Sequence, residues 1–305
     1  MGKVYVVTDS AACVPEPLLR RYSIRIVPFQ LILDGRYYRD GVDITAAQFY
    51  EWLERGGQMP RTSQPALGDF LQVYQELAAA GAQGIVSVHI PRELSGTVDT
   101  ARLAASMVSQ VPIKVIDART ATIAEGFVVL AAARAAEAGA PLEEVARAAE
   151  QAVGRVGLLA CVPLATVASL QRTGRCGDAE SLLQAPVNIT PILRLHHGRP
   201  ALVGVARNRQ RALNRLVTLM QEKAGRQPVR LATFHADDPE QAEAIHNRLC
   251  ATLNVVESYI TEFTPVMGAH TGPGVIGVAF ELLAPQPSTA GKAEATEEAE
   301  RCDRL

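Results

Sequence analysis

Four short segments of the chain gather residue types that could hold an anion. Thr8-Asp9-Ser10, Thr62-Ser63-Gln64-Pro65 and Ser95-Gly96-Thr97 each set hydroxyl side chains beside backbone N–H groups. The fourth, residues 268–274, places His270 among three glycines. Hydroxyls and amides are neutral donors, and a helix start adds unpaired N–H groups and the positive end of its dipole. Such a constellation suits a weak single anion, such as a carboxylate. None of the four contains Lys or Arg, although Arg61 and Arg92 lie beside two of them. No lysine follows the glycines as in a Walker loop, and the spacing is not that of a dinucleotide loop. No Asp/Glu set at metal spacing accompanies them, so neither Mg·ATP chemistry, nor a resident metal, nor a cofactor is expected. Helix capping explains the same hydroxyls without any ligand, so one loop alone carries little weight. Gly96 removes a side chain where something could approach the backbone.

The hydrophobic pattern supplies the elements that must position these residues. Compact apolar runs at 4–8, 24–33, 84–90 and 113–117 read as strands, the second closed by the turn dipeptide Asp34-Gly35. Helical stripes run over 65–80 and 98–109, and two Ala-rich helices follow, the second from Pro141. Strand–helix alternation with continuous Val/Ile runs predicts a parallel sheet covered on both faces. The second half predicts a strand at 157–163 and a short helix broken at Gly174-Arg175-Cys176-Gly177. A hairpin across 188–206, helices at 208–224 and 238–253, and strands at 229–235, 255–263 and 275–283 follow. The glycine-rich segment 268–274 reads as a loop between the last two strands. The fold class is therefore α/β in two domains. Residues 1–158 form a parallel-sheet domain with the first three loops. Residues 159–284 form a mixed-sheet domain, helices mainly on one face, with the His270 loop; 285–305 form a flexible tail.

Composition narrows the function classes. The chain has 305 residues, with 30 Lys+Arg against 32 Asp+Glu, and removing residues 292–305 leaves 27 of each. A neutral body has no excess positive charge for a phosphate backbone, so nucleic-acid binding is not expected. Five widely spaced cysteines with no CxxC pair argue against a disulfide framework or a structural zinc, and fit a reducing cytoplasm. The N-terminus lacks a signal-peptide pattern, and the longest uncharged apolar stretch, Gly157 to Leu170, is interrupted by Pro163 and too short for a bilayer. Membrane contact is expected to be transient, and a monomer is the default.

Taken in order, the loops resemble the DegV family. The matching blocks are VTDSAACVP (6–14), DGVDIT (40–45), RTSQPALGDF (61–70), SVHIPRELSGTVDTA (87–101) and VIDA (115–118). GR (174–175), NITPIL (188–193), RNRQRAL (207–213) and GAHTGPGVIG (268–277) complete the set. The resemblance spans about residues 4–283, and the TSQP, LSGT and AHTGPG blocks are specific in combination. Cys176, Val98-Asp99 and Ala118 depart from the usual family residues, which bears on acyl preference. The resemblance implies a bacterial two-domain α/β protein that holds one long-chain fatty acid in an apolar tunnel. It also implies presentation of that acid to a separate fatty acid kinase subunit, whose acyl phosphate product enters phospholipid synthesis. On this reading Thr62, Ser63, Ser95, Gly96, Thr97 and His270 converge on the carboxylate, and the exposed Arg175 and Arg207 meet the kinase. The chain itself would not be an enzyme.

Two other readings stay open. One is an acyl hydrolase or transferase with Ser95 as nucleophile and His270 as base, although no GxSxG elbow exists and no acid is placed to orient His270. The other is a subunit like that of dihydroxyacetone kinase, which rests on fold analogy alone.

Overall fold

The computed structural model describes residues 3–57, 60–175 and 189–283. The expected tail at 285–305 and the break at Cys176-Gly177 lie outside the described residues, as does Asn188. In chain order, β1 (Val4–Asp9) runs through a 3-10 turn (Ser10–Ala12) into α1 (Glu16–Tyr22), β2 (Arg25–Val27), β3 (Gln30–Leu33) and β4 (Arg36–Arg39). Then come α2 (Ala46–Glu54), β5 (Arg61–Ser63), α3 (Leu67–Ala79), β6 (Gly84–His89), α4 (Thr97–Met107) and β7 (Ile113–Asp117). Next are α5 (Thr122–Glu137), α6 (Leu142–Val153), β8 (Val156–Cys161), α7 (Leu164–Arg172), β9 (Thr190–His196) and β10 (Arg199–Ala206). The chain closes with α8 (Arg209–Ala224), β11 (Val229–His235), α9 (Pro239–Cys250), β12 (Val255–Glu262), α10 (Pro265–Thr271) and β13 (Ile276–Leu282).

Three sheets result. Strands in the order β2-β1-β6-β7 form an all-parallel sheet. The order β10-β9-β8-β13-β11-β12 forms a six-stranded sheet, antiparallel except for the β11–β12 pair. This is the α/β class expected, one sheet parallel and one mixed. The third sheet, β4-β3-β5, is small and antiparallel, and the sequence reading did not separate it from β2. The expected turn at Asp34-Gly35 joins β3 to β4, with both residues at positive φ.

Helix α5 sits between the two large sheets. It is buried round most of its circumference, and its buried residues include Ile123, Glu125, Phe127, Leu130 and Ala133. A helix so largely apolar must be covered on both sides, and α5 contacts β1 and β6 on one side and β8, β13 and β11 on the other. The six-stranded sheet divides its residues by the two-residue period of a strand. Leu159 and Cys161 join Leu213, Leu216 and Ile245 in the core under α8 and α9. Leu158, Ala160 and Val162 face the other way, toward α5 and the first half of the chain.

A chain of charges ties α5 to that sheet. Arg134 of α5 bonds Glu257, Glu257 pairs with Arg230, Arg230 reaches Glu281, and Glu281 also holds Arg155 at 3.0 Å. Glu281 is fully buried while both arginines keep some solvent contact. Removing it leaves Arg155 without its partner and Arg230 with Glu257 alone. Glu281→Ala should lower stability by about 2–3 kcal/mol in chemical denaturation; a loss under about 0.5 kcal/mol would show the chain of charges to be ornamental.

Candidate functional site

A cavity runs between the carboxyl edge of the parallel sheet and the inner face of the six-stranded sheet. The carboxyl edge is where open α/β sheets bind ligands. From the first half, Ala11, Phe29, Ile90 and Ala121 reach it from the ends of the strands and the start of α5. The inner face supplies Leu158, Ala160, Val162 and Leu193, and β11 adds Phe234. The wall is mostly apolar, with large side chains such as Phe29, Phe234 and Phe263 standing among alanines and valines.

Polar groups gather at one set of walls. Ser95, His270 and Arg175 all line the cavity. Ser95 Oγ lies 2.8 Å from Thr97 Oγ1, and Thr97 is completely buried. His270 Nε2 lies 2.9 Å from Thr62 Oγ1, joining β5 to α10 across the molecule. Burial, helped by the Arg175 charge, pushes the His270 imidazole down to about 4, so it is neutral near pH 7. Arg175 donates from Nε to the Leu94 carbonyl at 3.2 Å, and burial lowers its own affinity for a proton.

The structure brings Ser95 and His270 to one cavity and ties Thr62 to His270. It does not bring in the others equally. Ser63 is exposed on β5, its hydroxyl turned to the Gln64 carbonyl at 3.3 Å. The side of Gly96 is occupied by the chain itself: a Cβ there would meet Gln64 Oε1 at 2.4 Å. Gln64 in turn donates to Thr100 at 2.7 Å.

Several expectations are corrected. Thr62 and Ser63 lie on a strand of the small sheet, not at a helix start, and the N-terminus of α3 is held by Asp69 accepting from the Ala66 N–H at 3.1 Å. Residues 268–271 are helical, not loop; Pro265 opens α10 at a favoured first position, and Gly272 ends it. Arg175, expected as an exposed residue, is half-buried at the cavity wall, so the polar end is not made of neutral donors alone. Arg207 is exposed and makes no ion pair among the described residues.

The Thr8-Asp9-Ser10 segment has a structural task. Asp9, fully buried, accepts from the Ala11 and Ile90 N–H groups at 3.0 and 3.1 Å, and its Oδ2 lies 3.0 Å from His89 Nδ1. His89 Nε2 meets Ser87 Oγ at 2.6 Å, which accepts from Tyr74 at 2.8 Å. The Asp–His–Ser sequence of bonds looks catalytic, but every member is completely buried. Its effect is to fix the backbone of two cavity-wall residues, Ala11 and Ile90. Among the described residues no group of three or more His, Cys, Asp or Glu could hold a metal ion, and no helix is long and apolar enough to cross a membrane.

Comparison with known proteins bears on this geometry. A model of the DegV family, described as uncharacterised proteins, matches residues 3–282. A DegV domain-containing protein of Streptomyces coelicolor is 36% identical over 276 residues, covering 90% of this chain and 97% of that protein. A solved Thermus thermophilus structure, described as fatty acid binding of a DegV family protein, is 33% identical with a TM-score of 0.85. It covers 92% of this chain and 100% of its own. The Bacillus subtilis DegV structure, described as a fatty acid binding protein, is 28% identical with a TM-score of 0.82, over 93% and 100% of the two chains.

The depressed His270 value has a sign that can be checked. In the unfolded chain the ring protonates near its ordinary 6.5, in the fold near 4. Its contribution to stability is therefore complete above pH 6.5 and is lost as pH falls from 6.5 toward 4. Ring proton signals of His270 should stay constant from pH 8 to 5.5 in NMR titration; a midpoint near 6.5 would mean the ring is solvated and not part of a closed site.

Proposed function

The chain belongs to the DegV family, and from that premise we propose that it binds one long-chain fatty acid, tail in the cavity and carboxylate against Ser95, His270 and Arg175. The observation that carries the reading is an apolar cavity with Ser95, Arg175 and His270 among its few polar lining residues. An acyl chain of about 15 methylenes at ~0.8 kcal/mol each gives an upper bound on the order of 12 kcal/mol. Association and chain ordering reduce that figure substantially. Burial therefore supplies most of the affinity, and the polar end sets the register.

The head-group chemistry follows from the bonds already made. In the tautomer in which Thr62 donates to Nε2, the neutral His270 ring carries its proton on Nδ1, which no described residue accepts. That proton is then free for a carboxylate. Ser95 can donate while accepting from Thr97, and the N–H of Gly96 or Thr97 adds a donor from the start of α4. Ser63 is the least favoured of the sequence candidates, being exposed and turned away. Arg175 adds a positive charge that suits a carboxylate and, after it, an acyl phosphate.

We further read the protein as a non-catalytic partner of a separate kinase that phosphorylates the bound carboxylate. Arg207, exposed and unpaired among the described residues, suits the contact with that kinase, whereas Arg175 faces the ligand. The acyl-hydrolase alternative is disfavoured because Ser95 is bonded to Thr97, His270 to Thr62, and no described carboxylate bonds His270. The same engagement of Nε2 disfavours covalent ketone capture.

Delipidated Ser95→Ala should bind a long-chain fatty acid about 10–100-fold more weakly than the unaltered protein in calorimetric titration, as expected for one charge-assisted bond; equal affinities would remove Ser95 from the head site. Arg207→Glu should leave fatty-acid affinity within about twofold but slow phosphorylation of the bound acid by a DegV-type kinase at least tenfold. Unchanged phosphorylation would leave Arg207 an ordinary surface residue.

A further inference from the structure

The helix that carries His270 cannot stand alone and does not cap itself. Helix α10 has seven residues, fewer than the roughly 12–15 at which an isolated helix becomes even marginal in water. Pro265, its first residue, has no N–H, so the first amide that needs a partner is that of Val266. The preceding residue, Thr264, is of a capping type but makes no capping bond. Its hydroxyl instead donates to the Ser10 carbonyl at 3.3 Å. The acceptor for the Val266 N–H is Asp40 Oδ1 at 3.0 Å, 226 residues earlier in the chain.

Asp40 is itself fixed by the first half of the molecule. It is 1% exposed, its N–H donates to the Phe29 carbonyl at 2.9 Å, and it bridges to Ile44. Ser10, close to its carboxylate, also accepts from the Phe29 N–H at 3.1 Å. One carboxylate therefore connects the turn after β4, the turn after β1 and the first turn of α10.

We propose that Asp40 is a positioning residue of the ligand head site: it caps the His270 helix from another part of the chain and so sets that helix against the cavity. Val266 and His270 are four residues apart, which stacks them on one helix face, and both line the cavity. Between them Gly268 is pressed onto α2, where a Cβ would lie 2.7 Å from Tyr50 Oη. The helix is thus held at its start by Asp40, at its middle by contact with α2, and at its end by the His270–Thr62 bond. Without the first of these the terminal turn frays, and the ring loses its aim.

The bond is costly to keep, which argues that it serves more than packing. Asp40 Oδ2 has no hydrogen-bond partner, and burial pushes the carboxyl up to about 6 in spite of the Val266 N–H and the nearby Ser10 and Thr264 hydroxyls. The other titratable groups near it are Asp9, Cys13 and Tyr50; burial pushes the Cys13 thiol up to about 12 and raises the Tyr50 phenol.

Three measurements test the assignment. In Asp40→Ala, fatty-acid affinity should fall about tenfold and the His270 ring signals should shift and broaden, whereas Asp40→Asn, which keeps an acceptor oxygen, should restore both. An alanine variant with unchanged affinity and ring signals overturns the proposal, and so does an asparagine variant as impaired as alanine. Should the alanine variant not fold, the unaltered protein decides: the Val266 amide should be protected from hydrogen exchange as a bonded N–H, and exchange at the rate of an unprotected amide overturns the proposal. The affinity arm rests on the fatty-acid reading, but the two NMR arms need no ligand. Failure of the unaltered protein to take up any fatty acid would sink that reading and leave this one standing.

Discussion

Two apolar surfaces meet in this molecule without filling the space between them. The inner face of the six-stranded sheet presents Leu158, Ala160 and Val162, and the strand ends opposite present Ala11, Ile90 and Ala121. Protein interiors ordinarily close such gaps to crystal-like density. Here α5, covered on both sides and tied down by the Arg134–Glu257 contact, keeps the sheets at the distance its own diameter sets. The seam beyond its N-terminus stays open, walled by apolar side chains of mixed size. Whatever enters gains apolar contact along the seam and must satisfy any polar end at the few places where Ser95, His270 and Arg175 stand.

The polar end is assembled from segments far apart in the chain. Ser95 comes from the turn after β6, Thr62 from a three-residue strand, Arg175 from the turn after α7, and His270 from a helix near the end of the fold. Buried carboxylates hold the backbone of these pieces in place. Asp9 grips the Ala11 and Ile90 amides, and Asp40 grips the Val266 amide. Neither carboxylate lines the cavity. The cost of burying them is offset where they accept N–H donors, and the return is a backbone that cannot drift relative to the ligand.

Much of this was legible beforehand, for identifiable reasons. Val/Ile runs such as 84–90 and 113–117 could only be strands, although the second, expected to be buried, is a mostly uncovered edge strand; the Ala-rich stretch 122–137 could only be helix, so the α/β class and most element positions followed. The site candidates with a physical signature, Ser95 and His270, do share the cavity. The errors have a common origin. Glycines at 268, 272 and 274 suggested a loop, yet Gly268 is helical because the backbone must press against Tyr50. Residues 61–63 lack an alternating pattern long enough to reveal a strand whose pairing depends on β3. Arg175 looked like any surface cation, since nothing local in sequence tells whether a guanidinium faces solvent or a cavity. Asp40 carries no signal of its role in the sequence, because a cap supplied from 226 residues away leaves no local spacing to read.

The proposed role stands or falls with what occupies the seam. Native mass spectrometry of the full-length protein, purified gently from bacterial cells, measures that occupant directly. The account predicts one added mass equal to a single long-chain fatty acid, removed by delipidation and regained when oleate is supplied. A clean unliganded mass that stays unchanged with excess oleate would contradict it.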